Sequence, residues 1–196
     1  MQNIFNNSNE DWCEKKIGEI ADIIKIKNNR KDLPYVGLED IESNKFVFLG
    51  NYKLLVVKSL TFYFNEDYIL YGRLRPYLNK ILIPNFEGHC STEIFPLRLK
   101  RDIIKKLLFY WFIQSNTVKK INKTCTGTRM PRANMKEVFN FQITFPKSLS
   151  EQRIIVAKLD SLSEETKKLE NIYKQKLTNL EELKKSILKK AFSREL

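Results

Sequence analysis

Glycine and proline are scarce in this chain of 196 residues, with six of each, and the last 48 residues contain neither. No glycines are spaced as in a dinucleotide-binding GxGxxG turn or a P-loop, which argues against a nucleotide-binding enzyme. One histidine and three widely spaced cysteines are too few for the close ligands of a structural zinc site. We therefore expect no bound metal, and reduced thiols at Cys13, Cys90 and Cys125.

Long apolar runs are also missing, and we expect no secretory leader. The most apolar run, residues 107–113, is far shorter than a bilayer-spanning helix. Residues 1–11 are polar and rich in asparagine, unlike a signal peptide, and residues 1–10 are predicted to be disordered. Together these features predict a cytoplasmic protein.

Catalytic groupings are poorly represented, and no catalytic residue or cofactor is predicted. His89 and Cys90 are adjacent, so in a strand their side chains would point to opposite faces and could not act on one another. Glu39, Asp40 and Glu42 could bind a divalent cation, but no further carboxylate motif accompanies them. A solvated loop is the favoured interpretation of that acidic cluster.

The net charge of +12 is concentrated in the first part of the chain. Residues 1–148 carry 24 basic and 15 acidic side chains, whereas residues 149–196 carry 11 and 8. Lysine and arginine gain affinity for nucleic acid by releasing counterions from phosphates, so nucleic acid is the first partner to consider. A lysine-rich proteome is the alternative source of such a charge.

The periodicity predicts an α+β protein: a mixed α/β globular domain at residues 1–148 and one long coiled-coil helix at residues 149–196. Helices are predicted at 12–24, 101–114 and 116–123, and Asn134 is predicted to cap a short turn. Short runs rich in valine, isoleucine and aromatic residues predict strands. These runs are residues 34–38, 46–49, 54–57, 60–64, 68–74, 80–83, 92–99 and 140–145, the last stopped by Pro146.

The C-terminal segment carries an apolar stripe at alternating steps of four and three residues. Thr166 and Lys176 interrupt the series, and the helix is expected to open at Ser150 and Glu151. A rod of roughly 65 Å cannot be covered by the rest of the chain, so the stripe predicts pairing with a helix of another molecule. The predicted dimerisation residues are Ile155, Leu159, Leu162, Leu169, Tyr173, Leu180, Leu183 and Ile187.

Two basic segments are the best candidates for nucleic-acid contact. In the first, Arg73 and Arg75 alternate along a predicted strand and would share a face, which suits phosphate clamping or bidentate guanine contact. A structural salt bridge to Glu66 or Asp67 is the alternative. The second segment, residues 119–147, combines lysines and arginines with a loop of small residues, and a solvated basic loop is its alternative. The predicted DNA-binding residues are Arg73, Arg75, Tyr77, Lys80, Lys119, Lys120, Lys123, Thr128, Arg129 and Arg132.

From residue 12 to residue 196 the chain resembles the specificity subunit of type I restriction–modification systems. The combination of the Glu-Gln-Arg-Ile-Ile-Val entry into the long helix with the Ala-Phe exit is the most specific part. The stretches that carry the resemblance are residues 68–81, 88–94, 127–132, 146–160 and 183–196.

The resemblance implies a DNA reader without chemistry of its own. Subunits of that family have two recognition domains and two spacer helices that pair antiparallel, and this chain resembles half of one. The resemblance implies three kinds of partner: double-stranded DNA, a second copy or another half-subunit, and methylation subunits. Restriction subunits would bind through the methylation subunits. An enzyme fragment, or a coiled-coil scaffold or inhibitor that does not read DNA, are the competing hypotheses.

Overall fold

The computed structural model describes residues 11–28, 30, 32–52, 59–100 and 102–193. The chain divides into two compact units, Met1–Ile155 and Val156–Leu196. The first unit is a mixed α/β domain, and the second is the continuation of one long helix, which confirms the predicted fold class. Among the helices of the described residues, none combines the length and apolar character needed to cross a bilayer.

The first unit contains nine strands and four short helices within its described part, and the long helix begins at its end. The strands are β1 (Trp12–Lys16), β2 (Ala21–Ile23), β3 (Tyr35–Val36), β4 (Thr61–Phe64), β5 (Tyr68–Gly72), β6 (Ile81–Leu82), β7 (Gly88–Ser91), β8 (Ile94–Leu99) and β9 (Gln142–Pro146). The helices are α1 (Ile17–Ile20), α2 (Lys105–Ile113), α3 (Ser115–Lys123), α4 (Met135–Val138) and α5 (Leu149–Phe192).

Three small sheets form the framework of the domain. An antiparallel four-stranded sheet has the order β2-β8-β5-β6, and β1 pairs antiparallel with β9. In the third sheet, β7 pairs parallel with β3 and antiparallel with β4. Every residue of β5 is buried, and Tyr71 of this strand lies 5.1 Å, centroid to centroid, from the fully buried Phe112 of α2. Burial of a side chain such as Phe112 contributes about 1.5–3 kcal/mol to stability.

The predicted helix at residues 12–24 is wrong. The segment forms β1, the single turn α1 and β2, and Trp12–Lys16 pairs with Gln142–Pro146. The helical spacing of Ile17, Ile20 and Ala21 reflects a turn that buries all three side chains. Pairing with residues far along the chain outweighs local helix propensity here.

Other boundaries also differ from the prediction. Residues 46–49 form no strand: Phe46 has a φ of 60°, and only Phe48 makes an isolated bridge, to Ile41. Gly88–Ser91 is a strand that the prediction missed, α2 begins at Lys105, and Pro146 is the last residue of β9. The predicted strand at residues 54–57 and the predicted disorder of residues 1–10 lie outside the described residues.

The first turn of α5 is tied into the domain by two polar side chains. Trp12 Nε1 donates to Glu151 Oε1 over 3.1 Å. Gln152 is fully buried, and its Oε1 accepts from the backbone N–H of Ile104 at 2.8 Å. Its Nε2 donates to the carbonyls of Asp102 at 2.9 Å and Pro146 at 2.8 Å. The Glu-Gln pair therefore joins the ends of three segments, which gives a physical reason for its presence at the helix entry.

Candidate nucleic-acid interface

The loop at residues 126–132 is a closed basic hairpin. Thr126 and Arg132 exchange two backbone hydrogen bonds, of 3.1 and 3.0 Å. Gly127 has a φ of +88°, a conformation that side-chain-bearing residues rarely adopt. Thr128 and Arg129 lie at the tip of the loop, and both are exposed.

This loop lies along the segment that follows β5, so the two predicted basic segments meet. Arg75 N donates to Pro131 O at 2.7 Å, and Ala133 N donates to Arg73 O at 2.9 Å. Leu74 and Arg132 form an antiparallel bridge between these bonds. Side chains of both segments therefore belong to one surface, although the sequence separates them by more than fifty residues.

A single carboxylate lies between two of the predicted arginines. Arg73 Nε donates to Glu93 Oε2 at 3.1 Å, and Arg132 contacts Glu93 through Nε at 2.9 Å and Nη2 at 2.8 Å. Burial alone would raise the pKa of Glu93, but the Arg132 hydrogen bond and the charges of Arg73 and Arg132 together lower it. Glu93 is therefore ionised at neutral pH and holds both guanidiniums.

These contacts correct two expectations about the first basic segment. Arg73 does form a structural salt bridge, but its partner is Glu93 rather than Glu66 or Asp67. Arg73 and Arg75 do not alternate along a strand, because β5 ends at Gly72 and Arg75 has a φ of 50°. Arg75 is exposed, whereas Arg73 is only half-exposed.

An aromatic ring and a further lysine complete this part of the surface. The guanidinium carbon of Arg73 lies 4.8 Å from the Phe95 ring centroid, and Lys25 Nζ lies 4.7 Å from the same centroid. Such cation–π contacts stabilise an exposed cation by about 0.5–1 kcal/mol. Arg73, Phe95 and Arg132 border an open depression of about 670 Å³ together with Lys25 and Asn134.

The remaining candidates lie on the turn after β5 and on α3. The 3-10 turn Pro76–Leu78 presents an exposed Tyr77 and packs against α3. Lys80 Nζ donates to Leu38 O at 2.6 Å, which fixes that lysine to the domain. On α3, Thr117 and Ile121 are buried, and the exposed cations are Lys119, Lys120 and Lys123.

Lys120 also borders a second, polar depression of about 410 Å³. Gln114, at the start of α3, lines it and is buried. The Gln114 Nε2 atom has no hydrogen-bond partner among the described residues. The start of α3 therefore borders a polar recess whose lining includes this unpaired donor.

The sequence prediction missed Lys25, Glu93 and Phe95. Glu93 lies within residues 88–94, a stretch noted for its resemblance but given no role. Its position opposite Arg73 depends on the pairing of Gly72 with Ile94 and on the bond from Arg73 N to Glu93 O. No local sequence pattern predicts the contact between Glu93 and Arg73, because the register of β5 and β8 brings these two residues together.

The alternatives for catalysis or metal binding gain no support from the geometry. Asp40 Oδ2 accepts from Gly37 N at 2.7 Å, and Glu42 pairs with Lys45, so both carboxylates brace their own loop. His89 and Cys90 are buried, and burial raises the pKa of the Cys90 thiol. The three cysteines are free, and the described residues contain no cluster of metal-binding side chains.

Most of the apolar stripe on α5 is exposed. Leu162, Leu169, Tyr173 and Leu180 are between 47% and 63% exposed, and so are Leu183 and Ile187. Leu159 is buried and Ile155 is half-buried, so the accessible part of the stripe begins at Leu162.

Comparisons with known proteins agree with the resemblance found in the sequence. The chain is 28% identical over 191 residues to the type I restriction enzyme EcoDI specificity subunit of Escherichia coli, covering 94% of this chain and 42% of that subunit. The HsdS subunit from Thermoanaerobacter tengcongensis superposes with a TM-score of 0.66 at 22% identity, covering 84% of this chain and 45% of that one.

A structure from a study of complex assembly and conformational transition of the type I R-M system gives a TM-score of 0.70 at 22% identity, covering 85% of this chain and 45% of that one. These structures share the fold, and the chain spans less than half the length of each of these three relatives. The type I restriction modification DNA specificity domain matches residues 9–179. The chain belongs to that family.

Proposed function

We propose that this chain is the non-catalytic DNA-recognition component of a type I restriction–modification assembly. Its domain reads part of a double-stranded DNA target, and α5 pairs with a second long helix and offers its outer faces to methylation subunits. The observation that carries the proposal is the backbone pairing of residues 73–75 with residues 131–133, which unites two basic segments into one exposed surface.

The arginines of this surface divide into two roles. Arg73 and Arg132 are engaged by Glu93, so their main task is to hold the loop against the strand end. Arg75 and Arg129 are exposed and form no ion pair with a described residue, so their guanidiniums remain available for phosphates or base edges. Lys119, Lys120 and Lys123 are exposed on α3, which packs against the turn that follows Arg75, and their ammonium groups suit phosphate contact.

The first test is the salt dependence of DNA binding. If about five phosphates are neutralised, the logarithm of the association constant should fall with the logarithm of salt concentration at a slope near −4 to −5. The measurement is fluorescence anisotropy of the 196-residue protein on a labelled random duplex at several salt concentrations. A flat response, or no binding at low salt, would contradict DNA reading.

Arg129→Ala separates base reading from phosphate contact. The variant should lose roughly 1–3 kcal/mol of binding free energy on the preferred site and relax selection at one position, as measured by sequencing of bound random duplexes. Equal loss on all sequences would assign Arg129 to phosphates. Arg98→Ala, an exposed arginine of β8 away from this surface, is the matched control and should change little.

The exposed stripe on α5 favours one alternative function, a scaffold or inhibitor that captures partner chains without reading DNA. The same anisotropy measurement distinguishes the two. A protein that forms dimers but binds neither random nor selected duplex at low salt would be a scaffold.

A further inference from the structure

The polar depression beside the start of α3 is lined by a buried side chain with an unused hydrogen-bond donor. Gln114 is nine-tenths buried, and its Nε2 atom has no hydrogen-bond partner within the part of the chain that the structure describes. A buried donor without a partner destabilises a fold, so such groups are rare and call for an explanation. The depression has a volume of about 410 Å³, which is within the usual range of ligand pockets. An acceptor atom bound there would satisfy the amide.

Backbone donors of α3 lie beside this amide. The helix has nine residues and begins directly after Gln114, whose backbone is extended with a φ of −63° and a ψ of 136°. Gln114 O accepts from Val118 N at 2.9 Å, and no side chain of the described residues caps the helix. The N–H groups of the first turn therefore have no acceptor within α3. Asn116 and Thr117, which carry two of these groups, line the depression.

Lys120 supplies a positive charge to the same depression. Its side chain lines the depression, is exposed, and forms no ion pair with any residue that the structure describes. Lys120 follows Thr117 by three residues and Asn116 by four, so the three side chains share one face of α3. Long side chains on a helix lean toward its N-terminus, which directs the ammonium group toward the unpaired donors.

Another wall of the depression is formed by the paired strands β1 and β9. Gln142 and Thr144 of β9 are uncharged, and the exposed Glu14 of β1 lies opposite Thr144 in the strand register. This single carboxylate opposes an anion at the strand wall. The α3 wall, by contrast, offers the Gln114 amide, the helix N–H groups and the Lys120 ammonium. A ligand with several acceptor atoms would therefore bind against α3 and away from Glu14.

We propose that this depression binds a phosphate group, with its oxygen atoms directed at α3. Donors that converge from a side chain, a helix N-terminus and a lysine suit the tetrahedral oxygen atoms of phosphate better than the coplanar pair of a carboxylate. The phosphate is either free in solution or a phosphodiester of DNA. Since α3 packs against the turn Pro76–Leu78, it adjoins the basic surface, and a phosphodiester from a bound duplex is one source. With that source the inference rests on the proposed function, whereas free phosphate does not require it.

Nuclear magnetic resonance of the nitrogen-15-labelled 196-residue protein tests the site. Inorganic phosphate is added at constant ionic strength, with chloride as the replaced anion. The expected result is a saturable shift of the Gln114 side-chain amide resonances and of the backbone N–H resonances of Asn116 and Thr117. Phosphate that shifts resonances elsewhere but leaves those of Gln114 unchanged, together with no change at Gln114 on addition of a DNA duplex, would overturn the proposal.

Substitutions on the two walls should change phosphate affinity in opposite directions. Lys120→Gln should weaken binding several-fold, whereas Glu14→Gln should strengthen it because it removes the opposing charge. Lys119→Gln is the matched control for phosphate binding, since it removes the same charge from an exposed neighbour that does not line the depression. Equal losses in Lys119→Gln and Lys120→Gln would show attraction to diffuse charge and would overturn the site.

Gln114→Leu separates ligand binding from structural support. The variant should bind phosphate about tenfold more weakly, because a hydrogen bond to a charged group is lost. Since the Nε2 donor is unpaired in the fold, chemical denaturation without phosphate should find the free energy of unfolding unchanged or raised. A fall in that free energy with no loss of phosphate affinity would make Gln114 a structural residue and overturn the site.

A DNA duplex at low salt distinguishes the two sources of phosphate. A phosphodiester in the site would shift the same Gln114 resonances on addition of duplex, and inorganic phosphate would reverse that shift at constant ionic strength. A shift with inorganic phosphate but not with a duplex that anisotropy shows to be bound would assign the site to free phosphate. Loss of duplex binding in anisotropy contradicts the proposed function alone, whereas unchanged Gln114 resonances with both probes overturn the phosphate site alone.

Discussion

The domain gathers its exposed cations through contacts between distant segments, whereas α5 displays its apolar stripe through spacing alone. Arg75 meets the loop at residues 126–132 only because its backbone bonds to Pro131. The α5 stripe, by contrast, follows from the 3.6-residue period and needs no tertiary contact to exist. The basic surface of the domain can be lost by substitution of residues beneath it that hold its segments together. The apolar stripe of α5 is lost only when its own residues are substituted.

The largest expected effect is the loss of helix pairing when the apolar stripe of α5 is disrupted. Leu180→Asp places a carboxylate in the exposed apolar stripe of α5, and burial of that unpaired charge should weaken the proposed helix pairing by roughly 3–5 kcal/mol. Sedimentation should then find monomers at concentrations where the unchanged chain is dimeric. Asn171→Asp adds the same charge outside the stripe and should leave the dimer intact. If Leu180→Asp also remained dimeric, the stripe would not be the interface.

The next largest effect is a loss of stability when the hydrogen bonds of Gln152 in the domain are removed. Gln152→Leu keeps a side chain of similar size but leaves the N–H of Ile104 and the carbonyls of Asp102 and Pro146 without their partner. A buried unsatisfied group costs about 1–3 kcal/mol, but only the bond to Pro146 is fully buried and the other two are part-buried. The free energy of unfolding should therefore fall by about 3 kcal/mol, near the lower end of the range for three such groups. Chemical denaturation measures the loss. Arg153→Leu, an exposed neighbour, should change it little, and equal losses would contradict the anchoring role.

The smallest expected effect concerns Glu93, the carboxylate that holds Arg73 and Arg132 beneath the basic surface. The pKa of Glu93 is lowered in the folded protein, so the carboxylate stabilises the fold above its unfolded pKa of about 4.3, and that stability is lost as pH falls through the folded pKa. Glu93→Gln should cost about 1 kcal/mol at pH 7, and the difference from the unchanged protein should shrink below about pH 4.

Denaturation at several pH values measures this difference, and Glu66→Gln, an exposed carboxylate, is the control. A gap between the two proteins that stays constant with pH would show that Glu93 contributes packing rather than charge.

Sequence patterns predict correctly those elements whose structure depends on residues close together in the chain. The long helix, α3 and the Asn134 turn were predicted from period and capping, and Asn134 Oδ1 accepts from Lys136 N as a cap does. Residues 12–24 were misread because their apolar spacing fits a helix, while the pairing with Gln142–Pro146 that decides their structure lies far along the chain.

The candidate site shows the same limit. Arg73 and Arg132 were both selected from sequence, but as parts of separate segments and with the wrong acidic partner for Arg73. Their connection through Glu93 requires the register of β5 on β8 and the loop bridge at Leu74, neither of which has a signature in single-sequence periodicity. Composition finds the cations of such a surface, and tertiary pairing decides which of them remain available.

Glu93 is the shared acidic partner of Arg73 and Arg132. Two positive groups depend on a single negative one, so the trio carries one net positive charge rather than two. Replacement of that one acid by a neutral residue would release both guanidiniums together and would raise the net charge of the group from one to two. A single substitution at residue 93 would therefore remove the support of the strand end and of the loop at the same time.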